Sequence, residues 1–238
     1  MSRLAADHRA SLPPRAASWW LLLVPAILGV AIGVAVRGDR HLWGDIAVLE
    51  AIQRIDWPGV HDLVTLSNLA FSTGGAILLG LIFAGVAWML RRRDLIVQLG
   101  VVIVLRLASQ VLKPVFDSPR PGIDYQPDPS LVSSTLGYPS GHAYTATVIA
   151  SMLIVAVAVL DLPRGVRWAT SVLAALITLV ALVSRIHIGA HWPSDTLGGV
   201  LFGVATIGLM QLIVGSLVAP ERDRASSAAS GGLGVPER

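Results

Sequence analysis

Long apolar runs alternate with short polar stretches along most of the chain. Each run is close to the ~20 residues that an α-helix needs to cross the hydrocarbon core of a bilayer. The pattern predicts an all-α fold, a polytopic membrane bundle of six transmembrane helices that form one domain over residues 18–218. The predicted spans are residues 18–36, 69–90, 94–112, 142–160, 165–185 and 195–218.

The chain outside these spans is short and polar at both ends. Residues 1–17 form an Arg-bearing leader. The apolar run that follows is too long for the core of a signal peptide and has no small-x-small cleavage site before Arg37. We therefore expect the first span to be an uncleaved anchor. Residues 219–238 include ASSAASGGLGVPER, whose composition is typical of a disordered cytoplasmic tail.

Composition agrees with a membrane protein and argues against several other classes. Hydrophobic residues make up 54% of the chain and charged residues only 14%, whereas a soluble domain has about 25% charged residues. The absence of cysteine excludes thiolate catalysis and disulfides. The net charge of +3, with no basic stripe that carries aromatic residues, argues against a nucleic-acid partner.

Arg and Lys residues predict the orientation in the membrane. With the N-terminus in the cytoplasm, eleven of them lie inside and six outside, and Arg106 falls within the third span. This excess on the cytoplasmic side follows the positive-inside rule. The prediction is an N-in, C-in, multi-pass cell-membrane protein whose outer loops follow the first, third and fifth spans.

Two of the outer loops contain more than a simple connection. In residues 37–68, the stretch DIAVLEAIQRI has apolar residues at helical spacing, which predicts a short interfacial helix after the first span, or one that packs over the bundle. Residues 113–141 contain six prolines and are irregular by composition. A structureless connection of this length is uncommon, so it favours a functional role.

Three polar stretches reach the outer face in this topology, although they are far apart in the chain. They are KPVFDSPRP at 113–121, PSGH at 139–142 and SRIHIGAHWPSD at 184–195. Together they contribute the cations Lys113, Arg120 and Arg185 without a matching cluster of carboxylates. Arg has a planar fork that suits phosphate oxygens, and Lys supplies a point charge. The sequence therefore predicts an anion site at this face.

The PSGH stretch supplies a second kind of anion ligand. Ser140 and Gly141 come directly before the fourth span, so the free N–H groups of its first turn point outward. A helix N-terminus of this kind binds phosphate. Gly141 leaves room for the anion, and Ser140 has a hydroxyl to donate. A plain N-cap is the alternative role for Ser140.

Two histidines and one aspartate add the groups needed for phosphoryl transfer. A neutral His191 is a competent nucleophile toward phosphorus if a carboxylate fixes its tautomer, and Asp195 is suited to that role. His142 would then protonate the leaving oxygen as general acid. Taken singly, each has a structural alternative: Asp195 as a helix start, the histidines as polar packing residues, and outer cations as headgroup anchors. The catalytic interpretation depends on their convergence.

Arg106 and His187 are further polar residues near this set. A charge in mid-span is costly and usually faces the bundle interior. Arg106 precedes Lys113 by seven residues and so lies on nearly the same helical face. It extends the cationic field toward the site, or it pairs with a polar group such as Gln110, and the structural role is favoured. His187 lies between two isoleucines, which favours a packing role.

The three polar stretches resemble the signature of the type 2 phosphatidic acid phosphatase superfamily. That signature reads K-x-x-x-x-x-x-R-P, then P-S-G-H, then S-R-x-x-x-x-x-H-x-x-x-D, and the chain matches all three parts in order and spacing. The six-span layout and the stretch DIAVLEAIQRIDWPGV also resemble bacterial membrane members, so the likeness covers most of residues 18–218. One departure is Ser118, where many relatives have a further Arg.

This resemblance implies a metal-independent phosphatase of lipid phosphates or diphosphates, with no cofactor. In such an enzyme, His191 attacks phosphorus and becomes phosphohistidine, with Asp195 orienting it. His142 protonates the leaving group, and water then hydrolyses the intermediate. The phosphate oxygens would be held by Lys113, Arg120, Ser140, Gly141 and Arg185. These cations and the helix N–H groups explain why no metal is required.

Four alternatives stay open at this point. His187, His191 and Asp195 have a spacing that suits metal ligands, but Pro193 interrupts their helix and no H-E-x-x-H pattern is present. A membrane protein that binds lipid phosphate without turning it over would not need His191 or Asp195. Vanadium-dependent haloperoxidases share the anion site but are soluble. A lipid phosphotransferase with the same phosphohistidine differs only in its acceptor.

The motifs leave a choice among several membrane substrates. Polyprenyl diphosphates such as undecaprenyl diphosphate, phosphatidate and phosphatidylglycerophosphate all present a phosphate at the headgroup plane. An active site that faces the extracytoplasmic side favours recycling of a polyprenyl carrier or turnover of phospholipid over soluble cytosolic substrates.

Overall fold

The computed structural model of the protein describes residues 15–38, 40–132 and 136–231. Within these residues the chain is helical and has no strand, which confirms the all-α prediction. The helices are α1 (Arg15–Ala35), α2 (Asp45–Gln53), α3 (Val60–Phe71), α4 (Thr73–Met89), α5 (Arg93–Ala108), α6 (Leu112–Phe116), α7 (Gly141–Val159), α8 (Arg164–His187) and α9 (Pro193–Gly231).

Parts of both predicted terminal segments lie outside the described residues. Most of the leader, residues 1–14, lies outside the described residues, as does the end of the tail, residues 232–238. Helix α9 continues to Gly231, into the segment for which composition predicts disorder.

Among the described residues, five helices are long and apolar enough to cross a membrane, and α3 and α4 together make a sixth candidate that is bent by 68°. The polytopic bundle is therefore confirmed, while its orientation stays a prediction. The second predicted span, residues 69–90, crosses the bend. The bend lies at Ser72, which has extended backbone, and its hydroxyl accepts a hydrogen bond from Gly75 N at 3.1 Å. Ser72 thus caps α4 and separates it from α3.

The third span is longer than its apolar pattern predicts. Helix α5 passes through a 3₁₀ turn, Ser109–Val111, directly into α6. The irregular loop that was expected from residue 113 therefore starts at Asp117, whose φ of 46° ends the helix. Pro114 does not stop α6 because it lies in the first turn, where a missing N–H costs no intrahelical bond. This extension places Lys113 on a helix rather than on a loop.

Helices α7 and α9 pack closely, and this contact positions the start of each. A Cβ atom on Gly199 would lie 2.5 Å from the Ser140 carbonyl oxygen, and one on Gly203 would lie 2.9 Å from Thr147 Cβ. Glycines four residues apart let two helices approach in this way. The backbone of Ser140 donates to the carbonyl of Asp195 at 2.9 Å, so the PSGH stretch is fixed against the start of α9.

The expected short helix after the first span is α2, and it packs over the bundle. Its Leu49 is fully buried against Ile186 of α8 and Trp192. At its start, the Asp45 carboxylate accepts hydrogen bonds from Ser194 N at 2.9 Å and Ser194 Oγ at 2.7 Å. Helix α2 therefore holds the connection between α8 and α9. The segment that follows α2 contains α3, a second helix that the sequence pattern did not separate from a loop.

Candidate active site

The three polar stretches converge at one end of the bundle, as predicted. The first contacts the third where Arg120 Nη1 donates to the Ala190 carbonyl at 2.6 Å. The first contacts the second where Gly137 N, just before PSGH, donates to the Ser118 carbonyl at 2.7 Å. Ser118, the residue that departs from the family pattern, is fully buried at this junction.

A buried histidine and a buried aspartate form the centre of this site. His191 Nδ1 lies 3.2 Å from Asp195 Oδ2, and both side chains are almost completely shielded from solvent. Asp195 Oδ2 also accepts a hydrogen bond from Trp192 N at 3.1 Å. Helix α8 ends at His187 and α9 begins at Pro193, so His191 lies in the turn between them and Asp195 in the first turn of α9. The break between α8 and α9 therefore brings His191 and Asp195 together as the predicted pair.

The hydrogen bonds of His191 define which ring nitrogen carries the proton. Arg120 Nη1 lies 3.2 Å from His191 Nε2. A guanidinium can only donate, so Nε2 must be the acceptor and carries no hydrogen. The proton of the neutral ring is then on Nδ1 and is donated to Asp195 Oδ2. This tautomer leaves the lone pair on Nε2, which makes Nε2 the nucleophilic nitrogen of the ring.

The surroundings of His191 keep its ring neutral. Burial, followed by the positive charges of Arg120 and Arg185, lowers the pKa of His191 well below the 6.5 of a free histidine. Both causes disfavour the charged imidazolium. A neutral ring retains its lone pair at physiological pH.

We expect His191 to remain neutral in the folded protein at pH values where free histidine is protonated. Nitrogen-15 NMR of the detergent-solubilised protein should show its Nδ1-protonated form at pH 6.5, with assignment by loss of the signals in His191→Ala.

The lowered pKa of His191 also makes stability depend on pH. The unfolded chain binds a proton near pH 6.5, whereas the folded chain does so only at lower pH. The contribution of His191 to stability is therefore complete above pH 6.5 and is lost on acidification. An NMR titration of the His191 ring with its midpoint at or above pH 6.5 would contradict the lowered pKa.

Cations surround the histidine. Arg185 is buried, and its Nη1 donates to Asn68 Oδ1 at 2.6 Å, while its Nε has no hydrogen-bond partner among the described residues. Lys113 is partly buried and its Nζ donates to the Leu136 carbonyl at 3.0 Å. No carboxylate forms an ion pair with Lys113 or Arg185 in the part of the chain that the structure describes. The local charge therefore suits an anionic ligand.

The start of α7 provides backbone N–H groups next to these cations. Ser140 has extended backbone and acts as N-cap, with its Oγ 3.5 Å from Ala143 N, and Gly141 is the first helical residue. The N-cap role that the sequence offered as an alternative is thus present. It is compatible with anion binding because a hydroxyl donates as well as accepts. Lys113, Ser140 and Gly141 line one cleft.

Asn68 of α3 belongs to this site, and sequence reasoning missed it. Its side-chain oxygen accepts a hydrogen bond from Arg185 Nη1 at 2.6 Å. Asn68 thus positions a predicted phosphate ligand. The available signal was an amide side chain in the otherwise apolar stretch LSNLAF. That signal was weak because no motif includes it.

Replacing Asn68 by alanine is expected to lower kcat/KM about 10-fold, because a hydrogen bond to a charged group is lost. The loss should appear mainly in KM, since Arg185 would no longer be held in place. Ser67→Ala is the matched control because Ser67 lies on the same helix as Asn68. Its replacement removes the 2.8 Å contact of Ser67 Oγ with Ser184 Oγ of α8. Equal losses in the two variants, measured by steady-state phosphate release, would show a general packing effect instead.

The structure identifies hydrogen-bond partners for two other polar residues, His187 and Arg106. His187 Nε2 lies 3.1 Å from the Ile55 carbonyl, at the last residue of α8. His187, His191 and Asp195 thus do not share one helix, and no group of three His, Asp or Glu among the described residues is arranged to hold a metal ion. Arg106 donates to Thr145 Oγ1 at 3.2 Å, so its partner is Thr145 rather than the Gln110 suggested by the sequence.

Comparison with known proteins places this geometry in a family. The sequence matches the model of the PAP2 superfamily over residues 94–218, more than half of the chain. The fold is similar to that of a PAP2 type phosphatidylglycerolphosphate phosphatase from Bacillus subtilis, with 23% identity and a TM-score of 0.67 over 82% of this chain and 96% of that one. It is also similar to LpxE of Aquifex aeolicus, with 23% identity and a TM-score of 0.53 over 72% and 96%. Among curated proteins, none gives a significant match.

Proposed function

Because the chain belongs to the PAP2 superfamily and is a membrane phosphatase of that family, we propose that it hydrolyses lipid phosphates or diphosphates through a phosphohistidine on His191. The observation that carries this proposal is the hydrogen-bonded series Asp195, His191 and Arg120. It supplies a neutral nucleophile, a carboxylate that fixes its tautomer and a cation at the reacting nitrogen. No metal is needed for any of these roles.

The first chemical step forms the phosphoenzyme. The lone pair of His191 Nε2 attacks phosphorus while the bond from phosphorus to the lipid oxygen breaks and its electron pair leaves with that oxygen. His142, at the first turn of α7, donates a proton to the leaving oxygen as general acid. Asp195 stabilises the positive charge that develops on the His191 ring. In the second step, the oxygen of water attacks phosphorus while His142 takes up the proton of that water. The bond from phosphorus to His191 Nε2 breaks, its electron pair returns to the ring, and inorganic phosphate leaves.

Positive groups around the phosphate stabilise the transition state. Lys113, Arg120 and Arg185 supply charge, and Ser140 and Gly141 supply the hydroxyl and helix N–H donors. Arg185 Nε is suited to this role because it is buried and has no acceptor among the described residues. Such preorganised donors act most strongly in a site shielded from water. On attack, Arg120 shifts from His191 Nε2 to a phosphate oxygen, which frees the lone pair.

The substrate is proposed to be a membrane lipid that carries a terminal phosphate, at the extracytoplasmic face. The similar proteins are a phosphatidylglycerolphosphate phosphatase and LpxE, both from bacterial sources. The excess of Arg on the opposite side of the bundle supports the outward orientation of the site. Polyprenyl diphosphate, phosphatidate and phosphatidylglycerophosphate all fit this description.

The test is phosphate release by the purified protein in detergent with EDTA present. Farnesyl diphosphate, phosphatidate and phosphatidylglycerophosphate are offered in parallel. We expect release from at least one of them at a rate that EDTA does not reduce. Activity that EDTA abolishes and added metal restores would refute the metal-free mechanism. Transfer of the phosphate to an alcohol with little release to water would identify a phosphotransferase.

A further inference from the structure

Arg106 is a cation inside a membrane span without a carboxylate partner among the described residues. Its Nε donates to Thr145 Oγ1 at 3.2 Å, its Nη1 lies 3.5 Å from Ser109 Oγ, and its Cζ lies 5.2 Å from the centre of the Tyr144 ring. These contacts are all to neutral groups. They satisfy part of the five donors of the guanidinium. A charge in this position is costly and marks a functional site.

The guanidinium of Arg106 adjoins the proposed phosphate cradle. A Cβ atom on Gly141 would lie 3.2 Å from Arg106 Nη2, so the guanidinium lies directly beside the first residue of α7. Arg106 lines a cleft together with Lys113, Ser140 and Gly141. The cleft is thus shared between Arg106 and three of the residues assigned to the attacked phosphate.

The backbone of Arg106 lies further from the end of the bundle where the three motifs meet than that of Lys113. It precedes Lys113 by seven residues, which corresponds to about 10 Å along a helix axis. Its guanidinium nevertheless reaches the start of α7, where Nη2 lies beside Gly141. Arg106 therefore approaches the cleft from within the third span, and the tail of a lipid substrate lies among the spans in the bilayer. A second anionic group between that tail and the attacked phosphate would lie on the side of Arg106.

We propose that Arg106, supported by Thr145 and Ser109, binds the second phosphate of a lipid diphosphate, the one bonded to the lipid tail. This inference rests on the proposed function and makes lipid diphosphates the preferred substrates of the site. When His191 Nε2 bonds to the terminal phosphorus, the bridging P–O bond breaks and its electron pair moves to the tail-side phosphate. Arg106 stabilises that negative charge as it develops. A lipid monophosphate has no group at this position.

The direct test compares farnesyl diphosphate with farnesyl monophosphate, which share one tail. In Arg106→Gln, kcat/KM for the diphosphate should fall about 10- to 100-fold, the effect of losing hydrogen bonds to a charged group. The monophosphate value should stay within about threefold, which also shows that the variant is folded. Arg54→Gln is the control, because Arg54 is an exposed arginine of the outer segment that pairs with Glu50. Equal losses for the two substrates, or no loss for either, would overturn the assignment.

A binding measurement makes the test independent of turnover and of the variant. Inorganic diphosphate and inorganic phosphate are titrated into the His191→Ala protein, which retains Arg106. Diphosphate should bind at least about 10-fold more tightly, and in the His191→Ala/Arg106→Gln protein this preference should disappear. Equal affinities in the first protein would overturn the subsite. If the protein hydrolyses no lipid but prefers diphosphate in this way, the proposed function fails and the subsite stands.

Discussion

Replacing His191 by alanine is expected to reduce phosphate release by roughly 10⁴-fold or more, because the covalent route disappears with its nucleophile. The protein should remain folded. His191 is buried, and among the described residues its ring hydrogen-bonds with Arg120 and Asp195, whose polar groups water can satisfy in the space that alanine leaves. The measurement is steady-state phosphate release in EDTA, with thermal unfolding of the same samples to confirm the fold.

His187→Ala is the matched control for this variant. His187 is four residues away, and its ring contacts the Ile55 carbonyl rather than the site. Its replacement should change kcat/KM by no more than about threefold. If His187→Ala inactivated the enzyme while His191→Ala retained activity, the roles of the two histidines would have to be exchanged.

Replacing His142 by alanine should have an effect that depends on the leaving group. Phosphatidate leaves as a basic alkoxide that needs a proton, so loss of the general acid should reduce its kcat by about 10³-fold. p-Nitrophenyl phosphate leaves as a stable phenolate, and its rate should fall less than about 10-fold. The deciding quantity is the fold decrease in rate for phosphatidate divided by the fold decrease for p-nitrophenyl phosphate. Both substrates are measured on one preparation of His142→Ala. A similar loss for both would show that His142 binds phosphate or supports the fold instead.

The sequence was sufficient to predict the spans because apolar length is itself the requirement for crossing a bilayer. It did not reveal the bend between α3 and α4. Ser72 ends one helix and caps the next, yet a single serine in an apolar run does not lower hydropathy enough to interrupt a predicted span. The extension of the third span to Phe116 was missed for a related reason. Lys113 and Pro114 look like loop residues, although the first turn of a helix accepts proline.

The residues of the candidate site were predictable as a set, but their mutual contacts were not. Lys113, His142 and His191 each belong to one of the three motifs whose joint match resembles the superfamily signature. The contact of Arg120 with His191, which determines the tautomer, joins residues 71 positions apart and depends on packing. Asn68 lies outside every motif, so its place beside Arg185 could be seen only in three dimensions. The sequence indicated a polar partner for Arg106 and named Gln110 as an example, but Thr145 could not be identified because it belongs to another helix.

The most direct measurement of the central claim is transfer of labelled phosphate to His191. Protein in EDTA is mixed with a lipid carrying ³²P in its terminal phosphate, quenched in alkali within milliseconds and separated under denaturing conditions. We predict a protein-bound label that is stable in alkali, lost in acid and located on the peptide containing His191. It should be present in His187→Ala and absent in His191→Ala. Phosphate release without any bound label, or a label that persists in His191→Ala, would contradict the phosphohistidine mechanism.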